Sequence, residues 1–155
     1  MMNAYFLDSS SMVKRFARER GSAFVLSLLR PSAKNSFYAA RITEVEVCAA
    51  LARREKGMTL SAVQLTKSLR RFQRDMARRF TQVSISESVI ASASRLAVKH
   101  ALRGYDAVQL ASALAANQNR ILNGLAPLIL VSADNELNNA AQAEGLTVEN
   151  PNNYL

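Results

Sequence analysis

Short apolar runs recur along the chain, and each has the length of a buried strand. The clearest runs cover residues 4–7, 37–40 and 128–131, and weaker runs cover 82–85 and 147–149. Between them, apolar residues recur at three- and four-residue steps, the pattern of amphipathic helices. The predicted helices cover residues 12–16, 22–29, 43–56, 61–80, 87–100, 105–121 and 136–143.

Strands that alternate with helices predict an α/β fold with a central, mostly parallel sheet and right-handed crossovers. Glycines and prolines are few and scattered, and no repeat or linker-like stretch interrupts the pattern, so we expect one domain over residues 1–155. In this fold class, ligands bind beyond the carboxyl ends of the strands. Residues that directly follow the predicted strands are therefore the first candidates for a functional site.

Composition narrows the partners open to the chain. Its 155 residues include 20 basic and 12 acidic side chains, and the net charge of +8 suits a polyanion such as a nucleic acid. No apolar run approaches the roughly 20 residues of a membrane-spanning helix. The N-terminal residues MMNAYFLDSSS do not have the basic and apolar regions of a secretory signal. We therefore expect a cytoplasmic protein with no membrane partner.

The chain contains one cysteine, Cys48, and one histidine, His100. A lone cysteine cannot form an intramolecular disulfide, and a lone histidine argues against ribonuclease chemistry based on a histidine pair. Zinc sites built from cysteine and histidine are disfavoured for the same reason. Any catalytic chemistry should therefore come from carboxylates.

Acidic residues stand at the positions where such a fold displays its ligands. Asp8 and Asp134 follow predicted strands, while Glu44, Glu46 and Asp106 lie early in predicted helices. Each alone is readily explained as a helix cap or a solvated surface residue. Together they suggest a shared pocket, in which two charges 4 Å apart would repel by about 4 kcal/mol at an effective dielectric constant of 20. A cation would relieve this repulsion, and all-oxygen ligands favour Mg²⁺ or Mn²⁺.

Such a metal site would support attack of water on a phosphodiester bond. A strongly basic segment adds to this interpretation, because residues 67–79 contain six basic side chains and one acidic side chain. Its helical face is either solvated, in contact with a phosphate backbone, or in contact with an acidic partner peptide. The candidate substrate-binding residues on this face are Lys67, Arg71, Arg74 and Arg78. Arg103 either holds a phosphate or pairs with a neighbouring carboxylate.

Four segments in order carry a resemblance to a known family: YFLDSS (5–10), TEVEVCAAL (43–51), LRGYDAVQLA (102–111) and VSADNEL (131–137). The chain resembles the PIN-domain proteins, and among them the VapC-type toxins of prokaryotic toxin–antitoxin pairs. This resemblance implies a three-layer α/β/α fold and a metal-dependent endoribonuclease. It also implies an RNA substrate, a cognate antitoxin and a homodimer.

By this resemblance, Asp8, Asp106 and Asp134 would hold the metal, directly or through water. Glu46 is preferred to Glu44 as the second acid, which would orient or deprotonate the attacking water or complete the metal shell. Ser9 and Ser132, beside these acids, are further candidate substrate contacts. Two other functions stay open: a PIN-like module that binds RNA or protein without cutting, and a housekeeping RNA-processing nuclease. A dehalogenase-like phosphatase is disfavoured because Ser10 stands where that chemistry needs a second acid.

Overall fold

A computed structural model describes residues 2–155 as a five-stranded parallel sheet covered by helices. The strands lie in the order β3-β2-β1-β4-β5, and every neighbouring pair is parallel. Their bounds are β1 Ala4–Leu7, β2 Ser36–Ala40, β3 Phe80–Val83, β4 Ile129–Val131 and β5 Thr147–Glu149. The predicted α/β fold with a parallel sheet is confirmed.

Seven α-helices and two short 3₁₀ turns connect these strands within residues 2–155. The helices are α1 Ser9–Phe16, α2 Ser22–Leu28, α3 Thr43–Lys56, α4 Ala62–Arg78, α5 Glu87–His100, α6 Gly104–Leu122 and α7 Asn135–Ala143. The 3₁₀ turns cover Pro31–Ala33 and Pro151–Asn153. No helix in this part of the chain is long and apolar enough to cross a membrane.

The helices form two layers because the strands are apolar on both faces. Phe6 and Leu130 point into a core built with α5, α6 and α7. Leu7 and Val131, one residue further along each strand, pack on the opposite side with α1, α2, α3 and α4. The three-layer α/β/α arrangement follows directly from this alternation.

The main departure from the predicted boundaries lies at the end of α4, although α1 also begins at Ser9, three residues before its predicted start. The helix expected over residues 61–80 ends at Arg78, and the strand expected over 82–85 covers Phe80–Val83. Phe80 is four residues after Met76 and so continues the apolar repeat of α4. In the structure, however, Phe80 pairs with Phe37 in the sheet, and their ring centroids lie 5.6 Å apart. Tertiary pairing therefore overrides the local helical pattern at this position.

The turn before α2 holds the C-terminal residues against the domain. Gly21 has a φ of +83°, and a Cβ atom added there would lie 2.6 Å from the Pro151 carbonyl oxygen. Beyond Pro151, the Tyr154 ring stacks on Phe24 at a centroid distance of 3.9 Å. Glycine is therefore required here both for its backbone conformation and for the close approach of Pro151.

We expect Gly21→Ala to destabilise the fold more than Gly124→Ala does. Both glycines have positive φ, but no described atom lies within 4 Å of a Cβ added at Gly124. Both variants therefore carry a backbone strain of about 1–3 kcal/mol, and only Gly21→Ala adds a clash. Thermal unfolding of the two variants measures the difference, and equal melting temperatures would contradict the proposed contact.

Candidate functional site

Asp8 lies at the centre of the sheet, where β1 gives way to α1. Its backbone nitrogen still donates to Val131 of β4 at 3.2 Å, and its carboxylate then caps α1 by accepting from the Ser11 nitrogen at 3.0 Å. The side chain of Ser10 donates to the same carboxylate at 2.7 Å. The residue is only 2% exposed. The fold thus holds a carboxylate in a fixed orientation at the carboxyl edge of the sheet.

Burial changes the protonation of Asp8. Loss of hydration raises the pKa of this carboxyl to about 6, from an ordinary value of 3.8. Hydrogen bonds from Ser132, Ser10 and Ser11 stabilise the charged form and oppose the rise without cancelling it. A positive ligand would relieve the remaining cost of the buried charge.

Ser132 links Asp8 to Asp134. Its hydroxyl donates to Asp8 Oδ2 at 2.7 Å and accepts from the Asp134 backbone nitrogen at 3.1 Å. Asp134 itself caps α7 by accepting from the Leu137 nitrogen at 3.1 Å. Because β1 and β4 are neighbours in the sheet, with Leu7 paired to Val131, the two aspartates come to one edge, as the sequence pattern predicts.

Glu46 of α3 is held beside the same edge by two donors. The Ser9 hydroxyl donates to Glu46 Oε2 at 3.0 Å, and Gln109 Nε2 donates to Oε1 at 2.8 Å. Gln109 is itself buried in α6, and its amide also donates to Thr43 Oγ1 at 2.8 Å. Glu44, by contrast, is exposed and makes no described hydrogen bond through its carboxylate. The structure therefore places Glu46, and not Glu44, in contact with Ser9, the residue that follows Asp8.

Asp106, in the first turn of α6, connects the group electrostatically. Its pKa is raised to about 6, mainly by burial and then by the negative charges of Asp134, Asp8 and Glu46, in that order. Arg103, exposed at the N-cap of α6, opposes this effect. The charges of the other three predicted acids therefore all act on Asp106, which places the four acids in one region of the molecule.

The donor set suits a hard divalent cation bound partly through water. All available ligand atoms are carboxylate and hydroxyl oxygens, the ligands that Mg²⁺ and Mn²⁺ prefer. Within residues 2–155, no three acidic, histidine or cysteine side chains are gathered closely enough to ligate one ion directly. The carboxylate of Asp8 accepts from Ser10, and that of Asp134 accepts from the backbone at the N-terminus of α7. Since Mg²⁺ usually keeps several waters, carboxylates at this spacing can still share an ion.

A cavity of about 390 Å³ opens beside the acids, between α1 and α3. Glu46 is the acid that lines it, Ser9 and Ser10 line the part next to Asp8, Tyr105 comes from the first turn of α6, and Arg53 contributes a cation. This cavity could receive an extended polar ligand next to the carboxylates. We refer to it below as the acidic cavity.

Three residues of this site were not singled out from the sequence as contributors. Ser10 donates to Asp8 and accepts from the Ala133 nitrogen at 2.9 Å, Gln109 holds Glu46, and Arg53 lines the acidic cavity. Gln109 carried a usable signal, because it is a polar residue three positions after Asp106 in an otherwise apolar stretch. The contact of Ser10 with Asp8 is local, two residues along the chain, whereas the place of Arg53 depends on the packing of α3 against α1, which the sequence alone does not indicate.

The predicted basic residues fall into two places. Arg103 lies near Asp106, whereas Lys67, Arg71, Arg74 and Arg78 are exposed along α4. No described hydrogen bond or ion pair joins these α4 side chains to the four acids. Lys67 and Arg71 instead line a different cavity, together with Arg18 and Arg54. Contact of the α4 residues with a substrate stays a prediction.

The raised pKa of Asp8 predicts how the stability of the metal-free protein depends on pH. Between about pH 4 and pH 6 the folded state binds more protons at this site than the unfolded state does, so its contribution to stability falls as pH rises. Asp8→Asn removes this term. We therefore expect the free energy of unfolding of the variant, minus that of the wild type, to increase across this interval in chelator and then to level off. Urea titrations at several pH values measure this difference in the free energy of unfolding. A difference that does not change with pH would contradict the raised pKa of Asp8.

Comparison with known proteins identifies the sequence and the fold independently. The PIN domain family profile matches residues 5–143. The chain is 32% identical over 147 residues to Ribonuclease VapC45 of Mycobacterium tuberculosis (strain CDC 1551 / Oshkosh), covering 95% of each protein.

Two solved structures share the fold. The VapBC2 structure from Rickettsia felis, bound to a DNA fragment from its promoter, matches with a TM-score of 0.63 and 16% identity, over 95% of this chain and 98% of that one. A toxin-antitoxin complex from Klebsiella pneumoniae matches with a TM-score of 0.60 and 17% identity, over 95% and 97%. At these identities the likeness concerns the fold.

Proposed function

The chain belongs to the PIN domain family, and from this premise we propose that it is a divalent-metal-dependent endoribonuclease that acts as the toxin of a toxin–antitoxin pair. The observation that carries the proposal is the placement of the carboxylates at one edge of the sheet: Ser132 links Asp8 to Asp134, and Ser9 holds Glu46 beside Asp8. The charges of these three acids also help to raise the pKa of Asp106. A full-length relative with 32% identity is a ribonuclease, which supports RNA as the substrate.

In this proposal Asp8, Asp106 and Asp134 hold Mg²⁺ or Mn²⁺, directly or through water. When bound, the ion would polarise the scissile phosphate and lower the pKa of a coordinated water. The hydroxyls of Ser10 and Ser132 fix the orientation of the Asp8 carboxylate, so that it does not have to reorganise during the reaction. Water attacking in line would leave a 5′-phosphate and a 3′-hydroxyl.

Glu46 is the proposed base or water-orienting group. Its two oxygens are held by Ser9 and Gln109, and it is not among the groups whose carboxylate caps a helix. A carboxylate with further lone pairs free can accept a proton or a hydrogen bond from the attacking water. Arg103 and Ser9 are proposed to contact the substrate phosphate next to this centre. Ser132, the third candidate from the sequence, is fully buried, and its hydroxyl is engaged by Asp8 and Asp134 instead.

The proposed partners are an RNA substrate, a cognate antitoxin and a second copy of the chain. Support for the antitoxin comes from the solved structures with the same fold, one of which is a toxin-antitoxin complex. Homodimerisation rests on family resemblance alone.

Expression in a bacterial host tests the toxin role. Induction of the wild-type protein is expected to arrest growth, with new 5′-phosphate ends in cellular RNA, while Asp8→Asn at the same level does not. Co-expression of the protein encoded by the neighbouring gene should restore growth. Continued growth with unchanged RNA, or arrest that is identical for Asp8→Asn, would contradict the proposal.

A further inference from the structure

A second cavity, of about 590 Å³, lies at the far end of the helix pair that lines the acidic cavity. Helix α3 contributes Glu46 and Arg53 to the acidic cavity and Arg54 to the second one. Helix α1 likewise contributes Ser9 to the first, and its last residue, Phe16, to the second. The two cavities share no lining residue, yet the same two helices connect them.

The second cavity is cationic. Four basic side chains and no acidic one line it, so its formal charge is +4; we call it the basic cavity, and its cations are Arg18, Arg54, Lys67 and Arg71. Arg54 is ion-paired with Glu19, which also pairs with Lys14 at 2.9 Å. Within residues 2–155, the other three cations of the basic cavity make no ion pair.

Glu19 and Asp75 do not neutralise these three cations. Glu19 is already shared between Lys14 and Arg54, and Asp75, the one acid of α4, is buried and ion-paired with Arg15. The exposed basic surface then continues along α4 from the cavity through Arg74 and Arg78. The result is an uncompensated positive strip that begins at the basic cavity.

The separation of the two cavities suits a ligand with regularly spaced charges. Glu46 and Arg54 are eight residues apart in one helix, a distance of about 12 Å along its axis. Arg53 lies between them and faces the acidic cavity. A strand of a few nucleotides would bridge this distance.

We propose that the basic cavity binds the phosphate backbone of single-stranded RNA a few nucleotides away from the acids, as a second anchoring site for the substrate. This inference rests on the proposed function. Guanidinium groups bind phosphate oxygens bidentately, and three unpaired cations on two different elements match a repeating anion. The positive strip that continues along α4 through Arg74 and Arg78 favours the uniformly charged backbone of a nucleic acid over an acidic peptide, which is an outcome of the test.

Direct binding tests the proposal without depending on cleavage. In the Asp8→Asn background, a labelled single-stranded RNA of about twelve nucleotides is titrated with protein at several salt concentrations. The triple variant Arg18→Gln/Lys67→Gln/Arg71→Gln is expected to raise Kd about tenfold or more, and to reduce the slope of log Kd against log salt by about 2, for three lost phosphate contacts.

The matched control removes three other exposed cations that make no described ion pair, by Arg30→Gln/Lys34→Gln/Arg95→Gln. It loses the same net charge from other surfaces and should change Kd less than about twofold. Equal weakening of RNA binding in both triple variants would overturn the proposal, because the effect would then be due to the loss of net charge and not to the basic cavity. Displacement of the RNA by poly-glutamate at the same concentration of charges would also overturn it, in favour of an acidic peptide.

Failure of the proposed function gives a different result. In one outcome, the wild-type protein cleaves no RNA and yet binds it through Arg18, Lys67 and Arg71. That result would exclude the nuclease function and support the basic cavity as a nucleic-acid site. Cleavage of RNA with Kd unaffected by the triple variant would retain the nuclease and reject the anchoring site.

Discussion

Asp8→Asn is expected to reduce RNA cleavage about 100-fold or more while leaving the fold intact. The substitution removes one proposed metal ligand charge from the centre of the acids. It retains a side-chain oxygen that can cap α1 and accept from Ser11, and asparagine is as good a cap as aspartate. Because burial raises the pKa of Asp8, its loss should leave the metal-free protein at neutral pH as stable as the wild type or more stable.

Asp75→Asn is the matched control for this prediction, since it also removes a buried carboxylate. Asp75 is ion-paired with Arg15 between α4 and α1, so its loss leaves a cation without its partner. We therefore expect a lower melting temperature and a normal cleavage rate per folded molecule. The initial rate on a defined RNA and the melting temperature of both variants check the pair, and wild-type cleavage by Asp8→Asn would exclude Asp8 from the reaction.

Glu46→Gln and Glu44→Gln should differ sharply although they lie two residues apart. The first variant removes the proposed base and is expected to lower the cleavage rate about 100-fold or more. The second alters an exposed side chain without a described partner and should remain within about twofold of the wild type.

Cleavage is measured under single-turnover conditions with saturating protein, so that an effect of either variant on the cleavage step is not confused with an effect on RNA binding. Glutamine at position 46 can still accept from Ser9, so the fold is expected to persist. A large loss in Glu44→Gln with near-normal activity in Glu46→Gln would show that the second acid had been assigned to the wrong position.

Most of the fold could be predicted because local pattern and tertiary structure agree. The four-residue apolar run 4–7 followed by Asp8 is buried on both faces of the sheet, as its composition requires. The exception is the end of α4, where Phe80 satisfies the helical repeat and the sheet equally well. Its pairing with Phe37, 43 residues earlier in the chain, decides between them, and such a contact leaves no local trace.

The approach of Asp8 and Asp134 could be predicted from the sequence. Asp8 and Asp134 follow parallel strands, and parallel strands bring their carboxyl ends to one edge. The preference for Glu46 over Glu44 came from family resemblance, and the contacts of Ser9 and Gln109 now give it a physical basis. The roles of all these acids stay predictions.

The arrangement of the basic residues around the basic cavity could not be predicted from the sequence. The sequence shows the charges of α4 but not their distribution, in which Asp75 turns inward to Arg15 while Lys67 and Arg71 join Arg18 and Arg54 around a cavity. Arg18 lies just after α1 and Arg54 lies in α3, so their association with α4 depends on tertiary packing alone.

The most direct measurement is the rate of cleavage of a defined single-stranded RNA against free Mg²⁺, with the ends of the products identified. We expect a rate that saturates with Mg²⁺, falls to background in chelator and returns with Mn²⁺, and products with 5′-phosphate and 3′-hydroxyl ends. Cleavage that persists in chelator, or products with 2′,3′-cyclic phosphate ends, would contradict metal-dependent hydrolysis by these carboxylates.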